Sequence, residues 1–462
     1  MTSAAGEPIP VPAAPLTRRL PQLAFQRGRL RMDARARTLG IPSVRNISLA
    51  YRLRGNLDVS ALLQALEYVV VRHEGLRAFF PSGSQDQVIS DAAALDVPVV
   101  EFPDPMAAEC AIPELLAESA MTPFAAEMPP RLRAVVYRIG SRDHVLSLLL
   151  DHMICDAWAR RIVLADLSTA YASSASGRSP EEELQPLGYT YGDYVLDEQR
   201  VLNGPSREEH LAYWRRRLRG LDVIPRVDLP RPEGAAAPAE GAEVLLDRPV
   251  PLPTRQEGGE DGSTTPFHAI LAATFVTLYA VTRRRSATVA VHRFNRNTDR
   301  TRGLVAPLAD LMLVRGDVDG RLGLGEVLRR TRESVLESEE HADLPFGEIV
   351  RELAPERYGD PAYPIGLVVN VLYEEVLDDD FRLSELECSR VPVREERVRP
   401  RTMLGIGAVV AGGAVTLSSQ FQRDRLDPAN VESLLRTVAR VLEAIRETPD
   451  LPVAAVVGGD AP

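Results

Sequence analysis

Residues 148–164 read LLLDHMICDAWARRIVL, an apolar run that meets Asp151, His152, Cys155 and Asp156 before entering a helical pattern. The chain has only seven histidines, and this one stands beside an aspartate where a strand is expected to end. Such a set could ligate a metal, activate a cysteine nucleophile, brace the fold with paired charges, or place an imidazole for proton transfer. A metal would need further ligands, yet His73, His144, His210, His268, His292 and His341 form no second clustered pair and HExxH is absent. No metal site is expected. Cys155 would need a base in hydrogen-bond reach, and a strand-to-loop backbone does not obviously bring His152 to it; it reads as a buried structural thiol. A satisfied core histidine and a working one both remain open. The position of His152, at the end of a short apolar strand and just before a helix, is the arrangement that projects a side chain into a cleft. With an ordinary pKa near 6.5, imidazole suits proton transfer around neutrality.

The elements that would hold this residue are mixed α and β. NISLAYRLRG alternates Ile47, Leu49, Tyr51 and Leu53, a half-buried strand. Asp58 is placed to cap a helix whose apolar face is Val59, Leu62, Leu63, Leu66 and Val70. RLRAVVYRI (131–139) and HVLSLLLD (144–151) read as consecutive strands, and after Asp156 the helix shows Val163, Leu167, Ala170 and Tyr171 on one side. Later, Thr265 and Pro266 start a helix with Phe267, Leu271, Thr274, Leu278 and Val281 on one face, and Asp427 with Pro428 starts the last. The uncharged run at 402–422 is long enough to span a bilayer, but AVVAGGAVTL reads as two strands around a turn at Ala411, Gly412 and Gly413. It is expected to be a buried hairpin, and no membrane span is expected.

At 462 residues, 45% hydrophobic and 26% charged, the chain should fold as two lobes. The expected organisation is a disordered tail at 1–16, an N-terminal lobe at 17–180, a connecting helical segment at 181–225 and a C-terminal lobe at 226–457. A net charge of −11 argues against nucleic acid. All 54 basic positions are arginine, which excludes Schiff-base and pyridoxal-lysine chemistry and a phosphate-loop lysine. Three scattered cysteines and the lack of an apolar leader point to the cytoplasm. Arg18, Arg19, Arg27, Arg29, Arg31, Arg35 and Arg37 load the start of the chain and could face an acidic partner or simply solvent.

DHMICDAW resembles the HHxxxDG motif of nonribosomal peptide synthetase condensation domains and of related chloramphenicol-acetyltransferase-like acyltransferases. Other segments are similar to that family in the same order. They are LPQLAFQRGRL, RHEGLRAFF, MTPFAAEMPPRLRAVVYRI, YGDYVLDEQR, HLAYWRRRL, FNRNTDRTRGLVAPLADLMLVR and LPFGEIVREL. The resemblance runs from about residue 20 to 457 and implies an α/β (α+β) fold. Two chloramphenicol-acetyltransferase-like lobes would form a V with a tunnel and active site between them. It implies that His152, the family's second histidine, is the catalytic one, and that Asp156 is structural, bridging to Arg296. Asp151, Ala157, Trp158 and Asp310 would line the site. Asp151 stands for the family's first histidine, Ala157 for its glycine, Ala159 for the serine after tryptophan and Asp310 for an asparagine. The Asp151-to-Asp156 spacing also fits the DxxxxD of heterocyclization domains.

The resemblance further implies a free-standing acyltransferase of natural-product biosynthesis. It would bind no cofactor of its own and would take an acyl thioester from the phosphopantetheine of an acyl or peptidyl carrier protein. The acceptor would be a small-molecule amine or alcohol, giving an amide or ester. Two rivals stand beside it: a catalytically silent scaffold that recruits synthetase or tailoring partners, and an acyl-CoA-dependent O-acyltransferase, whose DFGWG segment is missing.

Overall fold

The computed structural model describes residues 16–40, 44, 46–91, 94–225, 241–253, 264–360, 365–377, 381–394, 400 and 402–458. The expected tail at 1–16 lies outside the described residues except for Leu16, which opens a strand, and most of the Pro/Gly/Ala-rich stretch at 228–243 also lies outside them. The chain begins with β1 (Leu16–Pro21), α1 (Ala24–Thr38), β2 (Asn46–Arg54), α2 (Val59–Arg72), β3 (Ala78–Phe79) and β4 (Asp86–Ser90). It continues through β5 (Val99–Glu101), α3 (Pro105–Met121), β6 (Leu132–Gly140), β7 (Asp143–Asp151) and α4 (Ala157–Ala175). Two helices follow, α5 (Tyr191–Asn203) and α6 (Ser206–Arg217). The second half holds β8 (Gly241–Leu245), β9 (Val250–Pro251), α7 (Pro266–Thr282), β10 (Ser286–Arg293), α8 (Asp299–Arg302) and β11 (Asp310–Asp317). After these come α9 (Leu324–Glu339), α10 (Phe346–Leu353), β12 (Ile365–Tyr373), α11 (Glu374–Leu377) and β13 (Glu387–Arg390). The chain closes with β14 (Thr402–Ala411), β15 (Ala414–Gln422), α12 (Pro428–Glu447) and α13 (Val453–Val457).

In the first lobe a five-stranded sheet runs in the order β13-β2-β7-β6-β5. β7 is its central strand, and from His144 to Asp151 every residue is buried. That burial explains why LSLLL is continuous rather than alternating: α2 and α4 cover one face, and α3 covers the other with Ile112 and Leu116 against Tyr137 and Val145. The Asp58 carboxylate accepts from Ala61 N at 3.0 Å, capping α2 as its sequence position predicts.

The second lobe is built on a mixed sheet, β11-β10-β12-β14-β15-β8, with β10, β12 and β14 parallel. β14 and β15 form the expected hairpin, turning at Gly412 and Gly413, whose φ of 53° and 79° require glycine. Helix α7 departs from its one-faced reading. It is buried on nearly all sides from His268 to Leu278, because α9, α12 and the sheet enclose it. No helix among the described residues is long and apolar enough to cross a membrane.

The expected boundary of the second lobe at 226–457 needs amendment. β13 pairs antiparallel with β2, and the Phe381 ring packs on Tyr51 at 4.3 Å, so this stretch belongs to the first lobe's sheet. Leu304, Val305, Ala306 and Leu308 likewise enter the first lobe's core. Four residues as polar as ECSR carry no periodic signal that could show the crossing.

Gly316 on β11 is one point where the second core admits no side chain, since a methyl added there would lie 2.3 Å from the Phe275 ring of α7. Gly316→Ala is expected to destabilise the chain by about 1–3 kcal/mol through overpacking. Urea unfolding of both proteins at equal m-value checks this.

Candidate active site

The sequence places its histidine where β7 stops. Asp151 is the last residue of the strand, and Asp156 caps α4 four residues after His152, so the imidazole sits on a short connection between two well-packed elements. Its ring lies 6.4 Å from that of Phe25 on α1. Nδ1 is sealed from solvent and has no hydrogen-bond partner among the described residues, which leaves Nε2 as the nitrogen available to a ligand. No described carboxylate orients this imidazole from behind, unlike the histidine of a Ser-His-Asp triad.

The two aspartates flanking His152 do different things. Asp151 turns into the first lobe, where it accepts from Met153 N at 2.9 Å and meets Arg131 at 3.4 Å. Arg131 is fully buried and also donates to the carbonyls of Ala78 and Ala125, both at 2.7 Å, and of Ala126. Asp151 holds the turn that carries His152 from inside the first lobe. Asp156 faces the other lobe. One oxygen accepts from Ala159 N at 2.7 Å and from Arg296 at 3.0 Å, and the other from Ala309 N at 3.0 Å. Arg296 in turn donates to the carbonyls of Thr301, Leu304 and Ala306 at 2.9, 2.7 and 3.2 Å. The structure thus brings Asp156 and Arg296 together, buried, and routes the floor of the second lobe onto the helix that starts beside His152.

Ala157 stays exposed on the first turn of α4. Trp158 reaches across the lobes, its indole donating to the Arg302 carbonyl at 3.1 Å. Neither is in the wall of the cavity described below; both sit on the first turn of α4. The Cys155 thiol is buried, which pushes its pKa up, and it donates to the Asp156 carbonyl at 3.4 Å. That environment suits packing, not nucleophilic attack. Among the described residues no three histidine, cysteine or carboxylate side chains gather as a metal site.

A cavity of about 390 Å³ opens between the lobes, with Phe25, Tyr194, Glu198, Arg293, Asn295 and Asp310 in its wall. Asp310, at the start of β11, accepts from Phe346 N at 2.9 Å, and burial pushes its carboxyl up. Glu198 accepts from Ala24 N at 2.7 Å, and burial lifts it to about 7. His292 on β10 keeps accessible surface, yet the protein around it, and then the charge of His152, push it down to about 4. It is a neutral imidazole at pH 7.

Sequence reasoning missed several of these groups. Tyr191 is fully buried; its hydroxyl accepts from Gln26 and donates to Gln87, both at 2.6 Å, and Gln26 also donates to the Met153 carbonyl at 3.1 Å. This network fixes the backbone next to His152. Gln26 and Tyr191 each lie in a family-like segment, but nothing in either segment shows that they meet.

Because Asp156 and Arg296 are both buried, removing one leaves the other's charge uncompensated. Asp156→Ala is expected to cost about 3–5 kcal/mol in thermal or chemical unfolding, whereas His152→Ala stays close to wild type. Asp156→Asn, which keeps an acceptor for the helix cap, should fall between them.

Against this geometry, comparison with known proteins is specific. The condensation domain family profile matches residues 26–457. The chain is 28% identical over 417 residues to a linear gramicidin synthase of Brevibacillus parabrevis, covering 89% of this chain and 5% of that protein. It is 30% identical over 422 residues to phosphinothricin tripeptide synthetase PhsB of Streptomyces viridochromogenes, covering 88% and 34%. The chain therefore spans a minor part of these relatives' lengths. Among solved structures, the X-domain in its complex with OxyB from teicoplanin biosynthesis superposes with a TM-score of 0.78 at 26% identity, covering 99% of this chain and 100% of that one. The starter condensation domain of rhizomide synthetase RzmA shares the fold with a TM-score of 0.73 at 14% identity, over 95% of this chain and 99% of its own. With the family's motifs in order and its two-lobed α/β fold observed, the chain belongs to the condensation domain family of nonribosomal peptide synthesis.

Proposed function

We propose that this chain transfers an acyl group from the phosphopantetheine thioester of a carrier protein to an amine or hydroxyl acceptor. The observation that carries the reading is His152 itself. It stands at the end of a rigid buried strand, the backbone of the next residue, Met153, is held by Gln26 and Asp151, and Nε2 is the ring nitrogen left for a substrate. In this reading the acceptor nitrogen or oxygen attacks the thioester carbon while Nε2 takes its proton. The tetrahedral intermediate then expels the thiolate, which recovers that proton from the imidazolium, so one C–N or C–O bond forms and one C–S bond breaks. Proton transfer of this kind contributes roughly 10²–10⁴ in rate.

Of the seven N-terminal arginines that could dock an acidic carrier, Arg18 pairs with Glu74 at 3.6 Å, Arg19 with Asp86 at 3.5 Å and Arg27 with Glu348 at 3.0 Å, and Arg31 lies over the Tyr358 ring at 5.8 Å. Arg35 and Arg37, exposed on the last turn of α1, are better placed to meet a partner.

A second reading, a catalytically silent scaffold that recruits partner enzymes, is favoured by one observation: the likeness to an X-domain that was solved in complex with OxyB. The replacement of the motif's first histidine by a buried Asp151 is compatible with it.

Wild type and His152→Ala, each offered aminoacyl carrier-protein thioesters with amines and alcohols, separate the two readings by intact mass. The transfer reading expects a product from wild type and a loss of at least 10²-fold in a variant that melts like wild type. Product formed equally by both proteins removes His152 from the chemistry. Capture of a partner enzyme, unaffected by His152→Ala and without product, supports the scaffold.

A further inference from the structure

We propose that His292 is a second substrate-facing imidazole of this site, one that donates an N–H to the thioester carbonyl oxygen while His152 takes the acceptor's proton. The inference rests on the acyl-transfer reading for its chemistry, and on the geometry of β10 for its place.

β10 repeats in the second lobe what β7 does in the first. It is an interior strand, between β11 and β12, and is buried from Thr288 to Val291 before it comes into the open at His292. The register fixes the residue: His292 pairs with Leu311, and Arg293 with Asp310, the first residue of β11.

Three observations bring this strand end to His152. His152 stands four residues before Asp156 and His292 four residues before Arg296, and those two side chains meet at 3.0 Å. Four residues span at most about 14 Å, so each imidazole is tethered close to that contact. The Phe25 ring, 6.4 Å from that of His152, shares the wall of the inter-lobe cavity with Arg293, the neighbour of His292. The charge of His152 is also felt at His292. The His292 ring has no hydrogen-bond or ion-pair partner among the described residues, and neither a hydrogen bond nor a ring contact joins it to His152. A substrate carbonyl can therefore enter between the two imidazoles without breaking a bond that the fold has already made.

The surroundings decide which task each ring takes. Burial, and after it the charge of His152, hold His292 down to about 4. At pH 7 it carries one N–H and one lone pair. Such a ring is a weak base but a lasting donor, and a neutral imidazole can serve as the electrophile that polarises a carbonyl. In the transfer step the carbonyl π pair moves onto oxygen as the new C–N or C–O bond forms, and returns when the C–S bond breaks. His292 holds the oxyanion by a hydrogen bond in between and keeps its own proton throughout.

Steady-state transfer from an aminoacyl carrier-protein thioester in wild type, His292→Leu and His292→Gln tests the assignment, with thermal unfolding to show that each variant is folded. His292→Leu keeps the bulk and loses the donor. Its kcat is expected to fall roughly 10²-fold, the size of one oxyanion donor, while KM for the acceptor changes by less than about twofold. His292→Gln brings back an N–H and should recover most of the loss, whereas a residue that only packs is served better by leucine. Imidazole NMR needs no turnover and tests the placement. In wild type the His292 ring resonances should inflect between pH 8 and pH 5.5 as His152 takes up its proton, and that inflection should vanish in His152→Ala. No such inflection, or a kcat loss that glutamine does not recover, overturns the assignment. Product formed by wild type and equally by His292→Leu removes His292 and keeps the transfer reading. A wild type that makes no product removes the transfer reading and the donor role with it, even where NMR shows the two rings facing.

Discussion

The contact between Asp156 and Arg296 is the one on which the rest of this site depends. Taking both charges out of water costs several kcal/mol per ion before geometry compensates, and here the geometry is dense. Asp156 gathers two backbone N–H groups and a guanidinium, and Arg296 spreads over three carbonyls of the 301–306 segment. A single pair therefore starts α4, pins Ala309 one residue before Asp310, and places the second lobe's floor against the first. His152 lies four residues before the pair and inherits its fixed position from it. The same pair explains why Leu304 to Leu308, in the second half of the chain, are packed as first-lobe core.

Local physics was readable wherever an element carries its own period or cap. The alternation at 46–54, the Asp58 cap, the Asp427-Pro428 start and the diglycine hairpin all rest on neighbours in sequence, and each appears where the pattern puts it. What failed to show were meetings between distant residues. Asp151 and Asp156 look alike around His152, yet the last residue of a strand and the first cap of a helix point in different directions, one to Arg131 and one to Arg296. Glu198 and Asp310 are 112 positions apart and ordinary in their own segments; only the fold puts them in the wall of one cavity. His292 gave no cluster in sequence because its neighbour, His152, lies on the opposite lobe.

The absence of lysine shapes the site as much as any residue present. A guanidinium is planar, carries five donors and stays charged, so it serves best where several carbonyls converge. The buried Arg131 and Arg296 are used in that way, each holding three backbone carbonyls and one aspartate. Buried cations of this kind are structural clasps, and none is left as a compact, mobile charge that could follow a substrate. The consequence falls on the cavity wall. The wall that holds Glu198 and Asp310 also holds Arg293 and Arg300, so its charges of both signs are carried by side chains the fold keeps in place. Positive charge reaches Glu198 from Arg27 and Asp310 from Arg293, in both cases as a guanidinium and never as an ammonium.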